Sequence, residues 1–121
     1  MTRLLSRFAD CVFWLARYVE RANSLARVLD VNQSYSYDVR GGRNWASVIR
    51  LYDDEERFAA LYDQVTAENV LAFYIHDPRN LSSIRSCIRA ARDNARTVRP
   101  LISTEMWAQL NALYSQVKEF E

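Results

Sequence analysis

The stretch FADCVFWLARYVERANSLARVLD, residues 8–30, decides how the rest of the chain is read. It contains no glycine and no proline, and that freedom from breakers extends from about Leu5 to Tyr37. Phe8, Cys11, Leu15, Tyr18, Ala22, Leu25 and Leu29 recur at intervals of three and four. Such a seam keeps one side of a 3.6-residue helix apolar, so one helix of about nine turns is predicted. Other apolar residues fall outside the seam. Phe13, Val31 and Tyr35 share one arc, and Val12 and Val19 share another. A helix that is apolar on several sides has to be covered on several sides, so self-association as a homodimer is expected.

The breakers cluster further on. Gly41-Gly42 is expected to end the long helix. Asn44 is a candidate cap for a short helix through Trp45, Val48, Ile49 and Tyr52. The run Asp53-Asp54-Glu55-Glu56 suits the first turn of the next helix, where negative charge meets the positive end of the dipole. Thr66 caps a further stretch, and His76-Asp77-Pro78 closes it, because a residue before proline avoids the helical region. Ser82 is the expected cap of a helix that Pro100 ends. Ser103 caps the last one, with Met106, Trp107, Leu110, Leu113, Tyr114 and Val117 expected inward. The fold class is therefore all-α: a single domain over residues 1–121, a helical bundle of five or six helices with a long N-terminal helix.

Composition agrees. Half the residues are apolar and 26% are charged, with two glycines and two prolines, which leaves few breakers for a β-rich chain. Net charge is +1, so no whole-molecule field draws in nucleic acid or membrane. The charge is sorted locally: residues 53–68 are acidic and residues 79–99 basic. Cys11 and Cys87 are too few for a disulfide framework and read as buried thiols. Asp10 and Arg17 break the apolar run that a secretory leader needs. No apolar stretch approaches the roughly 20 residues of a membrane span. The expected setting is cytoplasmic and bacterial.

Five arginines, Arg85, Arg89, Arg92, Arg96 and Arg99, repeat at spacings of 4, 3, 4 and 3. On a helix they occupy an arc of about 80°. Ile84, Ile88, Ala91, Ala95 and Val98 form an apolar stripe beside it, which should pack against the first helix. The arginine heads are either solvated and paired with the acidic stretch, or they hold an anionic group. Guanidinium is the side chain suited to bidentate recognition of carboxylates. The first helix carries its own polar set in Arg17, Glu20, Arg21, Ser24 and Arg27, interleaved with large apolar residues. That interleaving suggests partial burial, a short ion pair at Glu20, and a cost of several kcal/mol for Glu20→Ala. His76 is the sole histidine, and there is no glycine-rich phosphate loop, serine elbow or paired Cys/His spacing. No metal site and no cofactor is expected, and no complete catalytic constellation is present, so the enzyme reading is the weaker one.

WLARYVERANSLARVLD (14–30) and NLSSIRSCIRAARDNARTVRPLISTEMWAQLN (80–111) resemble the bacterial alpha-E domain family. Its pattern runs W-L-G-R-Y-x-E-R-A, then N-P-S-S-I, A-R-E-N-A-R and S-x-E-M-W-x-x-L-N. Ala16, Leu81, Asp93 and Pro100 depart from it. The chain looks like the N-terminal half of the longer family pattern. By the resemblance Arg17, Glu20, Arg21, Asn80, Ser82, Ser83, Arg92, Asn94, Arg96, Arg99, Glu105, Trp107 and Asn111 hold motif positions. Family members accompany ATP-grasp ligases and transglutaminase-like proteins, which implies a role in making, modifying or binding a peptide-like product; the expected job of this chain is accessory.

The expected ligand is anionic or carboxylate-bearing and peptide-like, held in a groove between the first and fifth helices. Arg17, Arg21, Arg92, Arg96 and Arg99 grip it, Glu20 orients them or takes an amine, and Asn94 and Asn111 add neutral hydrogen bonds. Ser82, Ser83 and Trp107 are structural. Three alternatives stand beside this reading. One is an enzyme with Glu20 as acid or base, which two neighbouring arginines oppose. Another is nucleic-acid binding, opposed by the +1 charge. The third is a purely structural interaction module, which a pull-down with the neighbouring ligase distinguishes.

Overall fold

The computed structural model describes residues 2–38 and 43–119, with side chains for 3–34 and 45–118. Gly41-Gly42 and the side chains of Tyr35 and Asn44 lie outside the described residues. Among the described residues six α-helices follow in order: α1 (Thr2–Asp38), α2 (Arg43–Leu51), α3 (Glu55–Leu61), α4 (Ala67–Ile75), α5 (Ile84–Thr97) and α6 (Thr104–Glu119). A 3₁₀ turn, Arg99–Leu101, carries Pro100 between α5 and α6. No strand occurs among the described residues.

The long helix α1 is the spine, and two groups of helices pack on it. Toward its C-terminal half, Leu25 and Leu29 meet Trp45, Val48 and Ile49 of α2, Phe58 of α3, and Val70, Phe73 and Tyr74 of α4. Toward its N-terminal half, Leu15 meets Ala91 and Ala95 of α5 and Leu110 of α6. Ala22, Cys87 and Ile88 continue that layer. The apolar stripe of α5 faces α1, as its periodicity predicts. Ala22, Ala91 and Ala95 carry so little side chain that the two backbones approach closely, and Ala91 and Ala95 are fully buried. Met106 and Leu113, expected inward, are exposed instead, because α6 has helix only on its Leu110 side.

Local chemistry sets the helix ends. Thr66 Oγ1 accepts from Asn69 N–H at 3.1 Å. Ser103 Oγ accepts from Met106 N–H at 3.1 Å. The cap of α5 is Ser83, whose Oγ accepts from Ser86 N–H at 3.1 Å. Ser82, the residue expected in that role, lies one position too early and donates its N–H to Asn80 Oδ1. Helix α2 ends with the N–H of Asp54 on Ile49 O and that of Asp53 on Arg50 O. This is the Schellman closure, which needs a left-handed residue. Asp53 supplies it at φ 54, a conformation that aspartate tolerates better than most residues.

Phe13, Trp14 and Val31 on α1 remain exposed, at 55%, 45% and 67%. Val12 is exposed as well, at 41%, whereas Val19 is half-buried against the Leu15–Leu110 cluster.

Candidate functional site

The polar residues singled out by motif do not gather in one place. Arg17 and Glu20 face each other on α1 at 4.0 Å, with side chains 56% and 69% exposed. The short, partly buried ion pair expected there is absent, because α1 is covered only on its Leu15–Leu29 side. Arg92 turns toward α6, where its Nε donates to Asn111 Oδ1 at 2.8 Å and its guanidinium lies 4.6 Å from the Tyr114 ring. Asn111 in turn donates to Trp107 O. Arg96 lies 4.0 Å from Asp93 on the surface. Arg99 donates to Ile102 O and sits over the half-buried Trp107 ring, bracing the turn before α6. Asn94 donates to Ala90 O, one turn back on its own helix.

The groove foreseen between α1 and α5 is closed by the alanine packing. Of the expected set, Arg92, Arg99 and Asn111 serve the α5–α6 junction. Arg96 and Asn94 make local bonds.

A different cavity forms where α1, α3, α4 and the α2–α3 turn meet. It has a volume of about 260 Å³ and is lined by Arg21 and Ser24 of α1, Tyr52 and Asp54 of the α2–α3 turn, Arg57 of α3 and Tyr74 of α4, with Leu25 and Ser82 completing it. Asp54 is buried, and its Oδ2 accepts from the Tyr74 hydroxyl at 2.8 Å. Its other oxygen lies 3.5 Å from Arg57. Burial, and then the hydrogen bond to Asp54, pushes the Tyr74 hydroxyl far up from its ordinary value. Burial and the Asp54 charge raise Tyr52 as well. Both phenols are therefore neutral hydrogen-bond donors at this wall.

Arg57 also donates to Asn80, which is 1% exposed and holds the α4–α5 loop. Asn80 Nδ2 donates to Phe73 O at 2.9 Å, and its Oδ1 accepts from Ser82 N–H. Ser86 Oγ donates to Asn80 O. Next to it, Arg79 grips Asp77 with Nε at 3.0 Å and Nη2 at 2.8 Å, and Tyr62 donates to Asp77 at 2.6 Å. The Asn80 bonds hold Arg57 and Ser82, two of the lining residues. On the far side Arg21 lies over the Tyr18 ring at 5.8 Å and beside Cys87. Burial raises the Cys87 thiol, and the Arg21 charge pulls the other way.

Two arginines and one carboxylate thus line a small cavity, a surplus of one positive charge. Such a site can hold an anion. Glu20 is solvated rather than enclosed, so the desolvation that an acid/base carboxyl relies on is missing. Among the described residues no group of three or more His, Cys, Asp or Glu could hold a metal ion. No helix of the described residues is long and apolar enough to cross a membrane.

The family model for Alpha-E, a predicted alpha-helical domain with a conserved ER motif, matches residues 4–121. The chain belongs to the Alpha-E family. No curated protein and no solved structure matches the chain. Glu-Arg occurs twice in this Alpha-E chain, at Glu20-Arg21 and at Glu56-Arg57. Both arginines line the same cavity. Sequence reasoning singled out the first pair and passed over the second. Arg57 sat inside an acidic run that explained itself as a helix N-terminus. The repeated dipeptide was the available signal.

Proposed function

We propose that this Alpha-E chain binds a carboxylate group in the cavity between Arg21 and Arg57. The observation that carries the reading is that Arg21 of α1 and Arg57 of α3 line one cavity, with Asp54 the one carboxylate in its lining. Charge-assisted bonds from guanidinium to a carboxylate are short and roughly twice as strong as neutral ones. Tyr52 and Ser82 add hydroxyl donors at the same wall. The job that fits is accessory. The domain holds the carboxylate end of a peptide-like molecule for a partner that does the chemistry, such as an ATP-grasp ligase or a transglutaminase-like protein.

The test is an NMR titration with N-acetylglycine and with its amide, on the wild type and on Arg21→Gln. Saturable shifts at Tyr52 and Tyr74 are expected from the acid alone, and they should vanish in Arg21→Gln. Equal responses to acid and amide would overturn the reading.

Self-association is a second reading, favoured by the exposed Phe13, Trp14 and Val31 on α1. A soluble chain tolerates only a few hundred Å² of contiguous apolar surface. Light scattering at micromolar concentration should show a dimer in the wild type and a monomer in Phe13→Asp. A 14.2 kDa monomer in the wild type would end this reading.

A further inference from the structure

The carboxylate cavity is one end of a longer surface. On the opposite flank of α1 lies an apolar groove of about 660 Å³. Its apolar walls are Val12, Leu15 and Val19 of α1, with Leu101, Ile102 and Met106 across from them. That volume is in the range of small-ligand sites, roughly 300–1,000 Å³. Between groove and cavity runs a polar depression of about 260 Å³, formed by Arg17, Glu20, Arg21 and Ser24. The three adjoin through shared lining residues. Ser24 borders all of them, Glu20 borders the groove and the depression, and Arg21 borders the depression and the cavity.

We propose that this surface takes the C-terminal segment of an extended peptide, with its terminal carboxylate at Arg21 and Arg57 and an apolar side chain in the Met106 groove. The proposal rests on the carboxylate reading above and names the molecule that carries the carboxylate. Charge sets the direction: the cationic end of the path is the cavity and the apolar end is the groove. The crossing sets the chemistry. A bare acyl chain would lay methylenes over Glu20 and Arg17 and strip their water with nothing in return. A peptide backbone answers both, since its N–H groups can donate to Glu20 and its carbonyls can accept from Arg17 and Ser24.

The width sets the register. A helix with its side chains is about 10–12 Å across. An extended residue spans about 3.3–3.6 Å. About three residues therefore separate the two ends, which puts the apolar side chain third from the C-terminus. Glu20, exposed and loosely paired, gains a role here that its weak pair with Arg17 does not give it.

The experiment is calorimetry on the full chain with four probes: acetyl-Leu-Gly-Gly acid, its C-terminal amide, acetyl-Gly-Gly-Gly acid, and decanoate. The same series is run on Met106→Asp, a substitution at an exposed groove position. The leucine acid should bind about tenfold or more tightly than the glycine acid, the effect of burying one leucine side chain. It should also exceed the amide and decanoate, and its advantage over the glycine acid should disappear in Met106→Asp. Equal affinity of the two acids would overturn the extended-peptide proposal and leave the carboxylate cavity standing. Decanoate binding as tightly as the leucine acid would overturn the peptide in favour of an acyl chain. Equal affinity of acid and amide would overturn the cavity reading and this one together.

Discussion

Arg17–Glu20 and Arg79–Asp77 are both arginine–carboxylate pairs, yet they differ in nearly every physical respect. The first spans 4.0 Å on the open side of α1, with both side chains more than half exposed. The second is bidentate, at 3.0 and 2.8 Å, and its carboxylate side chain is 3% exposed. Arg79 N–H and the Tyr62 hydroxyl supply further donors to Asp77. The first pair arises from helix spacing, i to i+3, and water screens it. The second arises from a loop that folds back on itself under Tyr62. Spacing along a helix brings opposite charges near each other, but the surrounding packing decides whether their contact has consequences for stability.

The comparison can be broken most severely at the loop. Asn80→Ala removes the bonds to Phe73 O, Ser82 N–H and Arg57 at a buried position. Urea unfolding should show a loss of about 3 kcal/mol, since buried partners are left unsatisfied. A loss below about 1 kcal/mol would mean that the α4–α5 loop is held by its apolar neighbours alone.

Acid sharpens the contrast. The Arg79 hydrogen bonds, with Tyr62 and the Arg79 backbone behind them, hold the Asp77 carboxyl at about 2 against an ordinary 3.8. Its folded-state value is depressed, so the stability it contributes is present above about pH 4 and is lost as pH falls toward about 2. That contribution is about 2 kcal/mol by linkage. Stability measured from pH 5 down to 2 should fall less steeply in Asp77→Asn than in the wild type. Identical slopes would remove Asp77 from the account.

The smallest effect belongs to the helix pair. Glu20→Ala should change stability by less than about 0.5 kcal/mol, the usual range for an exposed i,i+3 pair. A thermal melt shifted by several degrees would show that Glu20 is enclosed in solution. The several kcal/mol expected from sequence presumed burial that α1 does not give it.

Much of the fold is legible along the chain. The Phe8–Leu29 seam, the α5 stripe of Ile88, Ala91 and Ala95, and the caps at Thr66 and Ser103 all follow from spacing and side-chain chemistry within a few residues. Even the missed cap was off by a single serine. Arg21 was legible too, as half of a Glu-Arg pair.

Its partners were not. Asp54 read as helix-start charge, but the left-handed turn at Asp53 places it under the Tyr74 hydroxyl. Arg57 follows a run that reads as helix-start charge, but α3 brings it beside Asn80. Periodicity is a property of neighbouring residues, and it assigns each side chain to a face of its own helix. A cavity is made of faces from different helices. Which faces meet depends on Leu25 and Leu29 packing against Trp45, Phe58 and Phe73, positions far apart in the chain. The sequence by itself therefore determined an all-α chain of five or six helices led by one long one, and the inward seams of the first and fifth. The tertiary packing alone decided that Arg21 and Arg57 share a cavity, while Arg92 and Arg96 are directed elsewhere.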